Sequence, residues 1–346
     1  MRAGLALSLG LALPLPARAC TRAVYLGPQA TTITVRSMDW GSDIGSNLWS
    51  LPRGVKRHGA GGPKSITWTA KYGSVISTAF DAATADGMNE KGLVANMLYL
   101  AESKYPALAA NDARPLMCIS VWTQYVLDNF STVAEAVEAL RREPFVVVPV
   151  MSPDGHAGSV HLAISDATGD SAIFEYVDGK LVIHHGREFQ VMTNSPIYDQ
   201  QLALNKYWEQ IGGTVMLPGA NRAADRFVRA SFYINAIPQT AKSEDAVASC
   251  FSVIRNCSVP LGITTPGQPN ISSTLWRTVS DHKNRRYYFE STRSPSVFWV
   301  NIGEMDFAEG TAVRKLTVTD GSIYSGNAAA KFVPAEPFKF LTAEVK

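Results

Sequence analysis

Short runs of alternating apolar and polar residues dominate the chain after residue 20. The first two, residues 21–26 and 31–38, are separated by Gly27-Pro28-Gln29-Ala30, so they predict a β-hairpin. The Asp86-Gly87 and Asn89-Glu90-Lys91-Gly92 sequences are typical of turns. Other runs with the same pattern predict strands at residues 65–72, 74–80, 93–98, 145–150, 159–164, 172–177, 180–185, 189–193, 274–280, 286–290, 297–300 and 311–319.

Helical periodicity occurs in two blocks between the strands. The first block predicts helices at 115–129 and 132–142, the second of which opens with a capping box from Thr132 to Glu135. The second block predicts helices at 198–211, 222–237 and 243–254. Strands, helices and strands again indicate an α+β fold with layered antiparallel sheets. Because no linker divides it, residues 20–346 are predicted to form a single domain.

Composition and charge narrow the class of partner. The chain is 46% hydrophobic and 18% charged, which is typical of a globular protein. Its net charge is only +2, and its 32 Lys and Arg form no basic run, which argues against nucleic acid as a partner. The sequence contains no CxxC pair and no HExxH motif, so no metal and no cofactor are expected.

Residues 1–19 have the pattern of a secretory leader. Arg2 supplies a positive charge, residues 5–15 are apolar, and Ala17-Arg18-Ala19 is a small-x-small cleavage site. The apolar stretch is too short to span a bilayer about 30 Å thick. We therefore expect a signal peptide at residues 1–19, a periplasmic or secreted mature protein, and no later transmembrane segment.

Cleavage after Ala19 would make Cys20 the first residue, and three interpretations of that thiol are open. It could be an acylated lipoprotein cysteine, although Ala17 and Arg18 fit a lipobox poorly. It could be an N-terminal nucleophile, or a structural thiol. The other cysteines leave a further choice open, because Cys250 and Cys257 could close a disulfide or remain buried free thiols.

The predicted hairpin places charged residues beside Cys20. If its turn is centred between residues 28 and 29, paired residues have numbers that sum to about 57, give or take about two. Cys20 then lies opposite Ser37, between Arg36 and Asp39. An α-amine has a pKa near 7.7–8.0, so it can serve as the base for its own thiol. A guanidinium such as that of Arg36 would lower the thiol pKa, and Asp39 would orient the amine. A surface ion pair is the alternative.

Five motifs, in order along the chain, resemble the choloylglycine hydrolase family, which contains penicillin V acylases and conjugated bile-salt hydrolases. The resemblance covers essentially all of the chain after residue 19. The motifs are Cys20-Thr21-Arg22, Arg36-Ser37-Met38-Asp39-Trp40, Asp86-Gly87-Met88-Asn89-Glu90-Lys91-Gly92-Leu93, Thr193-Asn194-Ser195-Pro196 and Asp225-Arg226-Phe227.

The resemblance implies a four-layer αββα sandwich of the N-terminal-nucleophile hydrolase type. It implies that Cys20 is the nucleophile and that Arg36 and Asp39 position and activate it. It further implies that Asn194 donates to the oxyanion from its side chain, Tyr99 from its backbone N–H, and that Arg226 is a buried arginine in the charge network. Taken singly, Asn194 would be interpreted as a turn residue and Arg226 as a solvated helix residue.

The expected activity is hydrolysis of an N-acyl amide with an apolar acyl part, such as penicillin V or an N-acyl homoserine lactone. The alternatives are a conjugated bile-salt hydrolase and a non-catalytic secreted or lipid-anchored binding protein. The short interval between Asn194 and Arg226 resembles members without the insertion that clasps tetramers, so homo-oligomer formation stays open. Several large apolar residues are interpreted as packing residues: Trp40, Trp49, Trp68, Met88, Met97 and Met117.

Overall fold

A computed structural model of the chain describes residues 19–109, 111–264 and 272–344. The predicted leader therefore lies outside the described residues, except for Ala19. Within the described part of the chain, no helix is long and apolar enough to cross a membrane.

The described residues form twenty β-strands and five α-helices. The strands are β1 Thr21–Leu26, β2 Thr32–Trp40, β3 Leu48–Leu51, β4 Lys56–His58, β5 Thr67–Thr69, β6 Ser74–Ala79, β7 Ala83–Asn89, β8 Val94–Tyr99, β9 Leu116–Cys118, β10 Val146–Val148, β11 Val160–Ser165, β12 Ser171–Val177, β13 Lys180–His185, β14 Val191–Met192, β15 Ser273–Asp281, β16 Arg286–Ser291, β17 Phe298–Asn301, β18 Arg314–Leu316, β19 Gly326–Asn327 and β20 Val333–Pro334. The helices are α1 Ile119–Asn129, α2 Val133–Leu140, α3 Tyr198–Ile211, α4 Ala223–Ala236 and α5 Ser243–Asn256.

Two large sheets face each other. The first has the order β14-β1-β2-β15-β16-β17-β19, and the second has the order β13-β12-β11-β8-β7-β6-β3-β18-β20. Helices α4 and α5 pack against β1, β2 and β15 of the first sheet, while α1 packs against β7 and β8 of the second. The layers are thus helix, sheet, sheet, helix.

The hydrophobic residues divide between two cores. One core joins the facing surfaces of the two sheets and continues beneath α4 and α5. The other fills the space between the second sheet and the helices α1 and α2. This distribution is what a layered α+β fold requires, because each sheet buries both of its faces.

The β1–β2 hairpin has the expected position and nearly the expected register. Thr21 pairs with Ser37, which shifts the register by one residue from the predicted Cys20–Ser37 pairing, within the stated uncertainty. The turn contains Gln29 and Ala30 with φ of 53° and 57°. These left-handed conformations reverse the chain without a further glycine.

The Asp86-Gly87 turn prediction was wrong. Both residues lie inside β7, where Gly87 pairs with Ile76 of β6 and Ala95 of β8. A Cβ atom at Gly87 would lie 2.7 Å from Cγ2 of Ile76 and 2.9 Å from Cδ1 of Leu127 in α1. The glycine therefore permits close packing of a helix on a strand. The turn predicted at residues 89–92 is confirmed, since Gly92 N–H donates to the Asn89 carbonyl at 2.9 Å.

The helix predictions are largely confirmed. The helix at 198–211 is α3, and the predicted 222–237 and 243–254 helices are α4 and α5 with ends shifted by at most two residues. The Thr132 hydroxyl accepts from Glu135 N–H at 3.2 Å, as the capping box predicts. The helix predicted from residue 115 starts later, because residues 116–118 form β9, which pairs with β10.

Candidate active site

Cys20 immediately precedes β1 and lies in the wall of a cleft between the two sheets. The cleft has a volume of about 700 Å³ including its open mouth. Most of its lining is apolar and includes Met38, Trp40, Phe80 and Met97. Trp40 and Met97, which we interpreted as packing residues, are therefore exposed to a ligand in this cleft.

Strand β2 brings Arg36 and Asp39 to opposite sides of the first sheet. Side chains alternate along a strand, so Arg36 and Met38 share the face directed at the second sheet, while Asp39 shares the other face with Ser37. Both charged side chains are fully buried. The predicted pair therefore flanks Cys20, but it does not form the surface ion pair considered as the alternative.

Arg36 is held by contacts from both sheets. Its Nη2 donates to the Met97 carbonyl at 2.9 Å, and its Nη1 lies 3.8 Å from Oδ2 of Asp86. Its guanidinium lies 4.6 Å from the Trp276 ring centre. Asp86 in turn accepts from Tyr287 Oη at 2.5 Å and Asn96 Nδ2 at 2.6 Å. Asp86 thus gives the buried guanidinium a counter-charge on the side of the second sheet.

Asp39 is held by hydroxyl groups. Thr274 Oγ1 donates to its Oδ1 at 2.6 Å, and Ser37 Oγ donates to its Oδ2 at 3.3 Å. Burial raises the pKa of the Asp39 carboxyl to about 6, although Arg226, the hydroxyl groups and Arg36 act in the opposite direction. The carboxylate is therefore costly to bury and is stabilised only in part by the arginines.

The Cys20 thiol is close to the backbone nitrogen of Asp39. Asp39 N–H lies 3.5 Å from Sγ of Cys20, and Sδ of Met38 lies 4.0 Å from it. Burial raises the pKa of the Cys20 thiol, and the opposing effect of Arg36 is smaller. The expectation that Arg36 would lower the thiol pKa thus describes only one contribution. With Cys20 still joined to Ala19, the thiol is the stable form and needs a base to ionise.

Asn194 joins three parts of the site through its side-chain amide. Its Oδ1 accepts from Cys20 N–H at 2.5 Å and from Nη2 of Arg226 at 2.8 Å. Its Nδ2 donates to the carbonyl of Tyr99 at 2.6 Å. The structure therefore brings together Cys20, Asn194, Arg226 and Tyr99, which are far apart in the sequence.

Arg226 projects from α4 and is fully buried. Its Nη1 donates to the Cys20 carbonyl at 2.5 Å and to Thr21 Oγ1 at 2.6 Å. Burial lowers the pKa of Arg226, while Asp39 raises it. The interpretation of Arg226 as a solvated helix residue is wrong, because the helix directs this side chain towards Cys20 and Thr21 at the start of β1.

The backbone around Asn194 is fixed by residues that the sequence analysis missed. Nε2 of His161 lies 2.8 Å from the Thr193 carbonyl, and its Nδ1 lies 2.9 Å from Oε1 of Glu175. Gln201 Nε2 donates to the carbonyl of Asn194. No local motif marks these residues. A His and a Glu within the apolar runs that form the neighbouring strands β11 and β12 are the signal that could have suggested them.

Tyr99 ends β8 and lines the cleft, where its ring makes an edge contact with Trp40 at 6.2 Å between ring centres. Trp40 Nε1 donates to Asp154 Oδ2 at 2.7 Å. Asp154 also accepts from Ser152 Oγ at 2.5 Å. These contacts hold two flat apolar surfaces in the same cleft as Cys20.

The other titratable groups in the described part of the chain lack the arrangement that a metal ion needs. Among residues 19–109, 111–264 and 272–344, no group of three His, Cys, Asp or Glu side chains is arranged to hold a metal ion. Cys250 and Cys257 are separate, buried free thiols, which answers the question left open between a disulfide and free cysteines.

Taken together, the site offers a thiol, a nearby carboxylate, two buried guanidinium groups and an amide donor beside an apolar cleft. Such a set suits attack of sulfur on a carbonyl carbon. In the form described, however, the nitrogen of Cys20 is a peptide nitrogen and is not a base.

The chain is similar in sequence and in structure to several known proteins. The family model described as linear amide C–N hydrolases, choloylglycine hydrolase family, matches residues 20–315. A penicillin V acylase of Pectobacterium atrosepticum is 52% identical over 97% of this chain and 94% of its own length. A bile salt hydrolase/transferase of Clostridium perfringens is 28% identical over 78% of this chain and 88% of its own.

The solved structure of a penicillin V acylase from Agrobacterium tumefaciens has a TM-score of 0.87 at 57% identity and covers 93% of this chain and all of its own. This match and the observed layers confirm the predicted four-layer αββα sandwich.

Proposed function

The chain belongs to the choloylglycine hydrolase family of linear amide C–N hydrolases, and from that premise we propose that Cys20, as the first residue of a mature chain, is its nucleophile. The observation that carries the proposal is the nitrogen of Cys20, which points at Oδ1 of Asn194 from 2.5 Å. Cleavage of the peptide bond between Ala19 and Cys20 would turn this buried, oriented nitrogen into a free amine.

The amine would supply the base that the buried thiol lacks. In the first step the thiol proton passes to the α-amine, and the thiolate attacks the carbonyl carbon of the amide. The C–N bond then breaks, the departing amine takes the proton from the α-ammonium group, and an acyl thioester remains on Cys20. Water, deprotonated by the α-amine, attacks the thioester. The C–S bond then breaks, the carboxylic acid is released, and the Cys20 sulfur regains its proton from the α-ammonium group.

The oxyanion of each tetrahedral intermediate would lie between Nδ2 of Asn194 and the backbone N–H of Tyr99. Because Arg226 and Cys20 both donate to Oδ1 of Asn194, the amide is held with its nitrogen directed towards Tyr99. A fixed donor of this kind contributes about 2.7–4 kcal/mol to transition-state stabilisation. Arg36 and Asp39 act as positioning groups on the two sides of the sheet.

The substrate we propose is an N-acyl amide with an apolar acyl group, penicillin V first. Two observations support it: the similarity to two penicillin V acylases, and the aromatic walls formed by Trp40 and Tyr99 beside Cys20. N-acyl homoserine lactones, with a straight apolar acyl chain, are the second candidate, since the cleft lining is mainly apolar. Conjugated bile salts are a weaker candidate, because the bile salt hydrolase relative is more distant.

We propose further that residues 1–19 are a signal peptide and that residues 20–346 form one exported domain, periplasmic or secreted, without a lipid anchor. The start of the family match at residue 20 supports this boundary. The mass of the native N-terminus separates the alternatives. A free Cys20 agrees with the enzyme, whereas a diacylated Cys20 would block the nucleophile and favour an anchored binding protein.

The deciding experiment assays purified mature protein on penicillin V, acyl homoserine lactones and glycine- and taurine-conjugated bile salts. Cys20→Ala, with its processing confirmed by mass, is the matched control, because it removes only the sulfur. We expect wild-type turnover of penicillin V and none by Cys20→Ala. Substantial hydrolysis by correctly processed Cys20→Ala would exclude the proposed nucleophile.

A further inference from the structure

One wall of the cleft comes from the C-terminal end of the chain. Leu341 lines the cleft together with residues of β6, β7 and the first turn of α1. It belongs to the segment 335–344 that follows β20, whereas the family match ends at residue 315. The cleft around Cys20 therefore contains a side chain from outside the matched region.

Backbone hydrogen bonds hold this segment on both sides of the cleft wall. Leu341 N–H donates to the Ala82 carbonyl at 2.9 Å, and Ala343 N–H donates to the Ala60 carbonyl at 2.8 Å. Ser120 Oγ donates to the Leu341 carbonyl at 2.7 Å. Further back, the Phe338 ring packs on Trp49 with 5.1 Å between ring centres. Leu341 is thus fixed as part of the wall.

The surroundings of Leu341 in the cleft are apolar and mostly small. Ala79, Ala83 and Ala85 come from the two strands β6 and β7, and Phe80 and Ile119 complete this part of the lining. The hydroxyl of Ser120 is engaged with the Leu341 carbonyl. An apolar group that extends from Cys20 into the cleft would be stabilised by burial against this surface. The largest side chains of the surface would limit the length of that group.

We propose that Leu341 is a specificity-determining residue that sets the longest acyl group the cleft accepts. The inference rests on the proposed function, in which the substrate carbonyl is at Cys20 and the acyl part fills the apolar cleft. Removing the Leu341 side chain beyond Cβ would open space for additional methylene groups. Because each buried methylene is worth about fourfold in affinity, a gain of two would change selectivity by on the order of tenfold.

The test measures kcat/KM of mature wild type, Leu341→Ala and Leu341→Phe on acyl homoserine lactones with short, medium and long chains. We expect Leu341→Ala to raise the ratio of long-chain to short-chain kcat/KM by on the order of tenfold, and Leu341→Phe to lower it. A ratio of two substrates on one preparation does not depend on how much of that preparation is folded. Val333→Ala is the matched control, since Val333 is an exposed apolar residue of the same terminal region and should leave the ratio unchanged.

A parallel measurement keeps the inference separate from the proposed function. Calorimetric binding of the corresponding carboxylic acids to Cys20→Ala, with and without Leu341→Ala, reports the cleft without turnover. The same shift towards long chains is expected there. Unchanged length preference in Leu341→Ala and Leu341→Phe, by turnover or by binding, would overturn the inference while leaving amide hydrolysis intact. Absence of wild-type hydrolysis of both these lactones and penicillin V, with the binding shift present, would instead overturn the proposed function alone.

Discussion

Nη2 of Arg226 lies 2.8 Å from Oδ1 of Asn194, so a buried cation on α4 fixes which end of the Asn194 amide faces Tyr99. The same oxygen accepts from the Cys20 nitrogen. An amide oxygen with two donors cannot exchange places with its nitrogen without losing both bonds. The orientation required for an oxyanion donor is therefore determined by Arg226, which does not contact the substrate carbonyl, together with the nitrogen of Cys20.

The contact between Arg226 and Asn194 predicts that two substitutions at Asn194 change the free energy of unfolding by different amounts but lower kcat to a similar extent. Asn194→Ala and Asn194→Asp both remove the Nδ2 donor, so kcat should fall by about 10²–10³ with little change in KM. Asn194→Asp retains an acceptor for Arg226. Asn194→Ala leaves a buried guanidinium donor unpaired, at a cost of about 1–3 kcal/mol in the free energy of unfolding.

Steady-state kinetics on penicillin V and urea unfolding of the two variants check this prediction. Wild-type kcat in Asn194→Asp would remove the side chain from the oxyanion site. Equal stability of the two variants would show that the Arg226 contact contributes nothing to the fold.

Retention of Ala19 should abolish activity while leaving the fold unchanged. A peptide nitrogen has no basicity near neutral pH, whereas a free α-amine has a pKa near 7.7–8.0. Burial raises the pKa of the Cys20 thiol, so the thiol stays protonated without that amine. Two preparations, one starting at Cys20 and one at Ala19 with N-termini confirmed by mass, should differ in kcat by at least about 10². Equal rates would exclude the α-amine as the base.

Local sequence patterns predicted the part of the site that lies within one hairpin. Strand propensity and a Gly-Pro turn were enough to bring Arg36 and Asp39 beside Cys20, because pairing in a hairpin follows from the turn position. The register was off by one residue. Asn194, Arg226 and Tyr99 came from the resemblance to a family, since no local pattern relates residues so far apart.

Other contacts could not be predicted because they depend on packing between layers. Asp86-Gly87 has the composition of a turn, yet α1 packs so closely on β7 that a glycine is required there. The contact of Thr274 with Asp39 joins residues 235 positions apart. The net effect on the Cys20 thiol pKa was also missed, because burial cannot be read from the sequence around a cysteine.

Tyr99 should influence the choice between acyl groups. Its backbone serves the proposed oxyanion site whatever the side chain is, and its ring contacts Trp40 in the lining of the cleft. Replacement by Asn would remove a flat apolar wall and add hydrogen-bonding groups. We expect wild type to prefer penicillin V to glycocholate in kcat/KM, and Tyr99→Asn to narrow that preference. A wild-type preference for glycocholate would contradict the role assigned to the ring.

Gly87→Ala should destabilise the protein by about 1–3 kcal/mol, because the added methyl group overpacks β7 against both β6 and α1. The methyl carbon would lie 2.7 Å from Cγ2 of Ile76 and 2.8 Å from the Val75 carbonyl. Gly303→Ala is the matched control, since a Cβ there has no neighbour within 4 Å. Urea unfolding measures both. Equal midpoints for the two variants would indicate that the sheet and helix can separate at no cost.

Asp39→Asn should stabilise the fold at neutral pH and abolish hydrolysis. Burial raises the pKa of the Asp39 carboxyl from 3.8 to about 6, so between these pH values the folded state retains a proton that the unfolded state releases. The free energy of unfolding of wild type therefore falls as pH rises from about 4 to about 6. The full cost above pH 6 is about 3 kcal/mol, at 1.36 kcal/mol for each pH unit between the two pKa values.

Asparagine cannot ionise, so the stability difference between variant and wild type should be present at pH 7 and vanish near pH 4. The comparison is made on protein that retains Ala19, because a new α-ammonium group beside Asp39 would favour the carboxylate. If wild type instead gained stability relative to Asp39→Asn as pH rose, Arg226 and Arg36 would outweigh burial, and Asp39 would be a stabilising ion partner in the fold.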